Sequence, residues 1–210
     1  MTENWHQNLK NKNREDLIAA AKELCMKQSF LSVNIKEVCL LAGVSRVTFY
    51  KHFQSMDELV MEVQMELLES MTEAVQTEAE TAGNGKDNLL SMLEAWTAFA
   101  RQHPDYIKFI LLFDLHYEAY RTKPELMERY EGFIRGNKER HFLTGAIEAG
   151  IADGSLRAGL DPLDIAQFIF TAMMGMLQKF SLSPLAPEEP GIQERFVRML
   201  MEHLSSDRKN

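Results

Sequence analysis

The sequence predicts an all-α protein, an amino-terminal three-helix domain of helix-turn-helix type followed by a larger helical domain. Three observations predict it. Apolar residues recur at helical spacing from one end of the chain to the other, runs of alternating β-branched residues are missing, and two short helical segments meet at a glycine near residue 43. The boundary is expected between residues 1–56 and residues 57–210.

The first helix is expected from about Arg14 to Gln28, with Leu17, Ala20, Ala21, Leu24 and Cys25 on one stripe and Phe30 folding back onto it. Asn34 opens the second, because its side chain can accept the Glu37 amide while the Glu37 carboxylate reaches back, a capping box. That helix should stop near Ala42, where Gly43 supplies a left-handed turn and Ser45 caps the third helix. Val44 and Phe49 are placed to pack as a hydrophobic staple across that start. Ser55 and Glu58 open a long fourth helix through Leu59, Val63, Leu67 and Met71 to about Thr81.

The glycines of residues 82–87 then break the chain, Asp87 is positioned to cap a fifth helix ending at His103, and a sixth runs from Pro104 to about Tyr120. Pro124 opens a seventh that is expected to run unbroken to Gly150. Residues 150–162 are turn-rich, and Asp161, Pro162 and Asp164 start a helix so apolar, through Leu163, Ile169, Phe170, Met173, Met174 and Phe180, that it should be buried on several sides. A last helix, near Ile192 to Leu204, carries Phe196, Met199 and Leu200 on one stripe.

Hydrophobic residues make up 45% of the chain and charged residues 26%, proportions that point to neither disorder nor a membrane protein. The polar start lacks the pattern of an export signal, and the most apolar stretch, Leu163 to Phe180, is interrupted by Asp164, Gln167 and Lys179. A cytoplasmic protein is expected. Cys25 and Cys39 are the only cysteines, so no disulfide framework holds the fold. Charge is uneven: residues 1–56 carry a balance of +3 and the rest −11. A basic head on an acidic body suits an element that meets phosphate while the remainder repels nucleic acid.

At 100° per residue, Phe49 and Phe53 share the inward face of the third helix, which directs Val47 and Lys51 outward with Thr48, Tyr50 and His52 flanking them. The outward set suits DNA: Lys51 for phosphate or a guanine edge, the Thr48 and Tyr50 hydroxyls and a protonated His52 nitrogen for phosphate, and Val47 for a thymine methyl. Arg46 lies nearer the inward side but is long enough to swing around from the first turn.

Residues 17–60, LIAAAKELCMKQSFLSVNIKEVCLLAGVSRVTFYKHFQSMDELV, closely resemble the DNA-binding domain of the tetracycline-repressor (TetR) family of transcriptional regulators. The resemblance rests on the alanine-rich first helix, Phe30, the GVS turn, the ordered Thr48, Phe49, Tyr50, His52 and Phe53, and the Asp57-Glu58-Leu59 entry to the next helix. It implies phosphate or nearby contacts for Thr48, Tyr50 and His52, base reading for Arg46, Val47 and Lys51, and a place near bases for Lys36. With the cap residue Ser45, these form the candidate DNA-binding set. Two positions depart from the family pattern: Ser29 stands where glycine is usual, and Met56 where a phosphate-contacting lysine is common.

Beyond residue 60 the resemblance is architectural and implies a regulatory, ligand-binding and dimerisation domain. Its helices near 162–181 and 191–204 would pair with those of a second subunit, with Ala166, Ala172 and Gly175 allowing close approach. The aromatic residues Trp96, Phe99, Tyr106, Phe109, Phe113 and Tyr117 are candidates to line a pocket for an apolar small-molecule effector. His103, Asp114, His116 and Glu118 are the only polar cluster that invites a metal or catalytic reading, and positions 114, 116 and 118 do not share a helix face. No phosphate-cradling glycine loop and no nucleophile signature occurs, so neither a cofactor nor an enzyme activity is expected. The expected function is a regulator, a repressor released from a palindromic operator by its effector. The alternative is a helical small-molecule-binding dimer without useful operator affinity.

Overall fold

The computed structural model describes residues 2–79, 83–139, 141–182 and 191–206, and in these residues the chain forms ten α-helices, one 3₁₀ segment and no strand. The helices are α1 (Thr2–Lys27), α2 (Ile35–Leu41), α3 (Arg46–Tyr50), α4 (Met56–Ala79), α5 (Gly85–Gln102), α6 (Pro104–His116), α7 (Pro124–Glu139), α8 (Thr144–Ala152), α9 (Pro162–Leu182) and α10 (Ile192–Leu204), with the 3₁₀ segment at Tyr117–Thr122. Two compact units result, Met1–Leu67 with Phe109–Tyr130, and Leu68–Lys108 with Glu131–Asn210. Among the described residues no helix is long and apolar enough to cross a membrane.

In the first unit α1 begins well before Arg14, in a segment too polar to leave an apolar stripe. The stripe itself is buried at Leu17, Ala20, Ala21 and Cys25, and burial pushes the Cys25 thiol up to about 12. Phe30 is buried edge-on to Phe109, centroids 5.4 Å apart. The Asn34 Oδ1 accepts from the Lys36 and Glu37 amides, but the Glu37 carboxylate accepts from Gln28 Nε2 at 3.3 Å, so the expected capping box is one-sided. At the start of α4 the Ser55 hydroxyl accepts the Glu58 amide, while the Glu58 carboxylate accepts from the Gln54 amide, one residue upstream of the box position.

Glu62 is buried on α4 and is paired by two guanidinium groups, Arg14 from α1 and Arg129 from α7. Arg129 also reaches Glu58 at 3.4 Å, and Lys123 pairs with Asp57. A carboxylate taken out of water needs such partners, because one left unpaired would be strongly destabilising.

In the second unit, α5 is capped by Asn84, whose Oδ1 accepts the Asp87 amide at 2.9 Å, and not by Asp87 as the sequence suggested. Asn84 Nδ2 in turn donates to the Asp87 carboxylate at 2.7 Å, so Asp87 completes the cap from inside the first turn. Gly85 is packed against the backbone of Gly150 so closely that a Cβ on it would lie 1.9 Å from the Gly150 nitrogen. The turn after α8 then ties three helices. Asp153 accepts the Gly85 and Ser155 amides, each at 2.8 Å, the Ser155 hydroxyl accepts the Lys86 amide, and Arg157 N–H donates to the Leu204 carbonyl at 3.0 Å.

The expected helix from Pro124 to Gly150 is two helices, α7 and α8. No glycine or proline marks the break. His141, Phe142 and Leu143 turn the chain because their side chains go into the second unit: Phe142 meets Trp96 edge-on at 5.4 Å and His141 meets Phe170 at 5.6 Å. The sixth helix likewise ends at His116, short of Tyr120, and tightens into the 3₁₀ segment. The expected end of the fourth helix at Thr81 lies outside the described residues.

Asp161 accepts the Asp164 amide at 2.9 Å and starts α9 as expected. Within one chain α9 is not buried on several sides. Ala166, Ile169, Met173, Met176 and Leu177 are buried, whereas Phe168 remains 58% exposed and Leu163 36%, and Met199 of α10 is 69% exposed. Of the three small residues, Ala166 faces its own chain, Ala172 is half-buried and Gly175 is exposed.

Candidate functional site

The α2–α3 pair is built from the inside outward. Gly43 adopts φ 67°, a left-handed conformation that strains any residue with a side chain, and there the chain reverses between α2 and α3. The Ser45 hydroxyl accepts the Thr48 amide at 3.0 Å and lies 3.0 Å from the Thr48 hydroxyl, so one residue both starts α3 and orients a neighbour. Phe49 and Phe53 are buried with centroids 5.8 Å apart, and they anchor the inner face. The helix has only five residues, and Lys51 and His52 continue it as a hydrogen-bonded turn, with the His52 amide donating to the Phe49 carbonyl.

On that base Arg46, Val47, Tyr50 and Lys51 are exposed, Val47 at 69% and Tyr50 at 58%, while Thr48 and His52 are half-buried. Lys36 is exposed on α2 and Ser45 is exposed at the turn. All eight residues thus lie in the first unit, within the α2–α3 pair and its turns. Arg46 acts on the Cys39 thiol: burial raises that thiol and the Arg46 charge draws it back down. His52 is held below the usual imidazole range, first by burial and then by the charges of Lys10, Arg14 and Lys51.

The six aromatic candidates are divided between the two units. Trp96, Phe99 and Tyr106 belong to the second unit, and Phe109, Phe113 and Tyr117 to the first. Trp96 is wholly buried between Phe142 and Phe170, and its indole N–H has no partner. Phe99 meets His103 at 4.7 Å, and Tyr106 stacks on His103 at 4.9 Å. In the first unit Phe113 is buried and has Tyr120 and Tyr130 around it at 5.4 and 5.3 Å, with Phe109 and Tyr117 each at 6.4 Å. His103 and His116 fall into different units, and among the described residues no three His, Cys, Asp or Glu side chains gather as metal ligands. An open cleft of about 460 Å³ in the first unit carries none of the six aromatics and is lined by Ser55, Glu58, Lys123, Leu126 and Arg129 among others.

Residues that sequence reasoning passed over stand beside Phe113. Gln64 on α4 is wholly buried, its Nε2 donates to the Tyr130 hydroxyl at 3.3 Å, and its Oε1 has no partner. Tyr130 also bonds Asp114, whose carboxyl is pushed up to about 6 by burial although the Tyr130 hydrogen bond pulls the other way. Burial raises the Tyr130 phenol as well. A signal existed: Gln64 interrupts the apolar stripe of α4 between Val60 and Leu67.

Residues 17–63 match the model of a family described as bacterial regulatory proteins, tetR family. Among solved structures the chain is similar to FadR of Bacillus subtilis in complex with stearoyl-CoA, at 16% identity and TM-score 0.69, covering 90% of this chain and 98% of that one. A putative transcriptional regulator from Rhodococcus sp. RHA1 gives 18% identity and TM-score 0.68, over 91% and 95% of the two chains. The reduced form of E. coli NemR gives 19% and 0.64, over 92% and 98%. At these identities the likeness to the solved structures is one of fold.

Proposed function

We propose, from the premise that this chain belongs to the tetR family of bacterial regulatory proteins, that it acts as a homodimeric repressor that binds a palindromic operator and is released by a small-molecule effector. The observation that carries the reading is the short helix α3, whose inner face is fixed by Phe49 and Phe53 while Val47, Tyr50 and Lys51 stand in solvent. A helix so mounted can enter the major groove, with Ser45, Thr48, Tyr50 and His52 around it for phosphates, Lys36 near bases, and Arg46, Val47 and Lys51 for base edges.

The exposed Phe168 and Met199, on α9 and α10, support the dimer. Large apolar side chains that a single chain leaves wet are what a second copy would cover. Two recognition helices on a two-fold axis then read half-sites about 34–36 Å apart or a multiple of that. Helix α4 contributes residues to both units, which makes it the natural carrier of a signal from an effector to α3. The effector can release DNA only by the difference in its affinity for the two states, typically a coupling of about 1–3 kcal/mol.

The test is selection of bound fragments from genomic DNA by the full-length protein, followed by affinity measurements on the enriched site. Thr48→Val and Tyr50→Phe should weaken binding to all sequences alike, whereas Val47→Ala and Lys51→Ala should also alter base preference. Absence of any enriched sequence would remove the operator reading and favour the small-molecule-binding dimer. A monomer by light scattering at micromolar concentration would remove the dimer.

A further inference from the structure

In the first unit Gln64 of α4, Asp114 near the end of α6 and Tyr130 of α7 meet in a cluster with too many acceptors. The order of its hydrogen bonds follows from counting protons. Tyr130 has one hydroxyl hydrogen, and with Asp114 ionised that hydrogen goes to the carboxylate. The Gln64 amide must then donate to the Tyr130 oxygen, as its Nε2 does at 3.3 Å. This leaves Gln64 Oε1, in a wholly buried side chain, with nothing to accept from. Buried polar atoms in folded proteins nearly always have a partner, so an orphaned one calls for an explanation.

The surroundings say what kind of partner is missing. Phe113, Tyr117 and Tyr130 turn their rings to one another at 5.3 to 6.4 Å, and the electron-rich faces of such rings attract cations. Asp114 is exposed along its flank on α6, but its carboxyl turns in to the Tyr130 hydroxyl, where burial raises it. Tyr117 is half-buried and opens the 3₁₀ segment.

We propose that this cluster is the effector-binding site and that it takes a protonated amine with an apolar body. The ammonium hydrogens would satisfy Gln64 Oε1 and the Asp114 carboxylate, and the apolar body would lie against Phe113 and Tyr117. This rests on the effector reading given above and specifies the class of ligand.

The test uses the full-length protein and three probes that share one alkyl chain and differ at the head: decylamine, decanol and decanoate, titrated by calorimetry at pH 7.5. Decylamine is expected to bind at least about tenfold more tightly than either of the others. Asp114→Asn should abolish that preference, bringing decylamine down to the affinity of decanol. Gln64→Leu should do the same, with a thermal melt of each variant to establish that it is folded. Equal binding of the three heads, no binding of decylamine up to its solubility, or an amine preference that survives in folded Asp114→Asn each overturns the proposal. Operator release by decanol or decanoate without release by decylamine would overturn the amine class and keep the effector reading. Failure of every compound in a broad library to change operator affinity would remove the effector reading itself.

Discussion

The Arg14 guanidinium lies over the ring of Phe53, 5.5 Å from its centroid, while the same group pairs with the buried carboxylate of Glu62. Phe53 in turn packs on Phe49, the anchor of α3. One side chain thus joins an ion pair on α4 to the base of the recognition helix. Arg14→Met keeps the length of the stem and removes the charge. It should lower stability in urea by about 1–3 kcal/mol, below the cost of stripping a fully buried pair because Arg14 is partly exposed and Arg129 still serves Glu62. Arg14→Lys should recover only part of that, since an ammonium cannot lie flat on a ring while pairing sideways. A change within about 0.5 kcal/mol for Arg14→Met would show that the contact contributes nothing.

Ser45→Ala removes the cap of α3 and the partner of the Thr48 hydroxyl together, and should cost about 1 kcal/mol of stability. Its effect on DNA affinity should exceed its effect on the melting temperature of the protein, because Thr48 loses its fixed orientation. Gly43→Ala tests the turn from the other side. A Cβ there meets nothing within 4 Å, so the expected cost of about 1–2 kcal/mol is that of a left-handed backbone alone. Gly43→Asn should be milder, as asparagine tolerates that conformation.

On the operator reading, His52 should give DNA binding a pH dependence. Its free-state value lies below the usual imidazole range because of burial and the neighbouring cations, so at pH 7 the ring is neutral. A DNA phosphate brought to it would raise that value, and the bound state would then hold more protons than the free state. By linkage, affinity should rise as pH falls through the bound-state value and level off below the free-state value. Affinity measured from pH 8 to pH 5.5 should show this rise, and His52→Gln, which keeps a donor but does not titrate, should flatten it. An unchanged slope in that variant would assign the proton to another group.

The second unit offers a contrast between two glycines. Gly85→Ala would drive a Cβ into the backbone of Gly150, where no rotamer change can relieve the clash, and should destabilise by about 3 kcal/mol or more. Gly132→Ala on α7 meets nothing within 4 Å and should be neutral or stabilising by up to about 1 kcal/mol. Circular-dichroism melts of the two variants settle the comparison, and similar melting temperatures would contradict the close approach.

What could be read beforehand was the local chemistry. Asn34, Gly43, Ser45 and Asp161 each act on a backbone group within four residues, so their roles were written in the neighbouring letters. The inner face of α3 was legible for the same reason, since 100° per residue decides it. The break at residues 141–143 was not, because it is set by Trp96 and Phe170, far away in the chain. Nor does proximity in sequence reveal the division that places Trp96 and Phe113 in different units. Asp87 and Asn84 are both competent caps, and the choice between them falls to Asp153 and Ser155, which accept the amides of Gly85 and Lys86.

The pairing of Glu62 with cations on both sides also imposes an order on biosynthesis. Glu62 leaves the ribosome 48 residues after Arg14 but 67 residues before Arg129. At about 5–20 residues per second, the nascent chain holds this carboxylate with a single cation for some seconds. During that interval α5, which belongs to the other unit, must emerge and be set aside before Phe109–Tyr130 can close the first unit. The recognition helix is thus translated early and completed late. A fragment cut after residue 67 would carry α1 to α3 with Glu62 half-neutralised and without Phe109, the ring against which Phe30 rests.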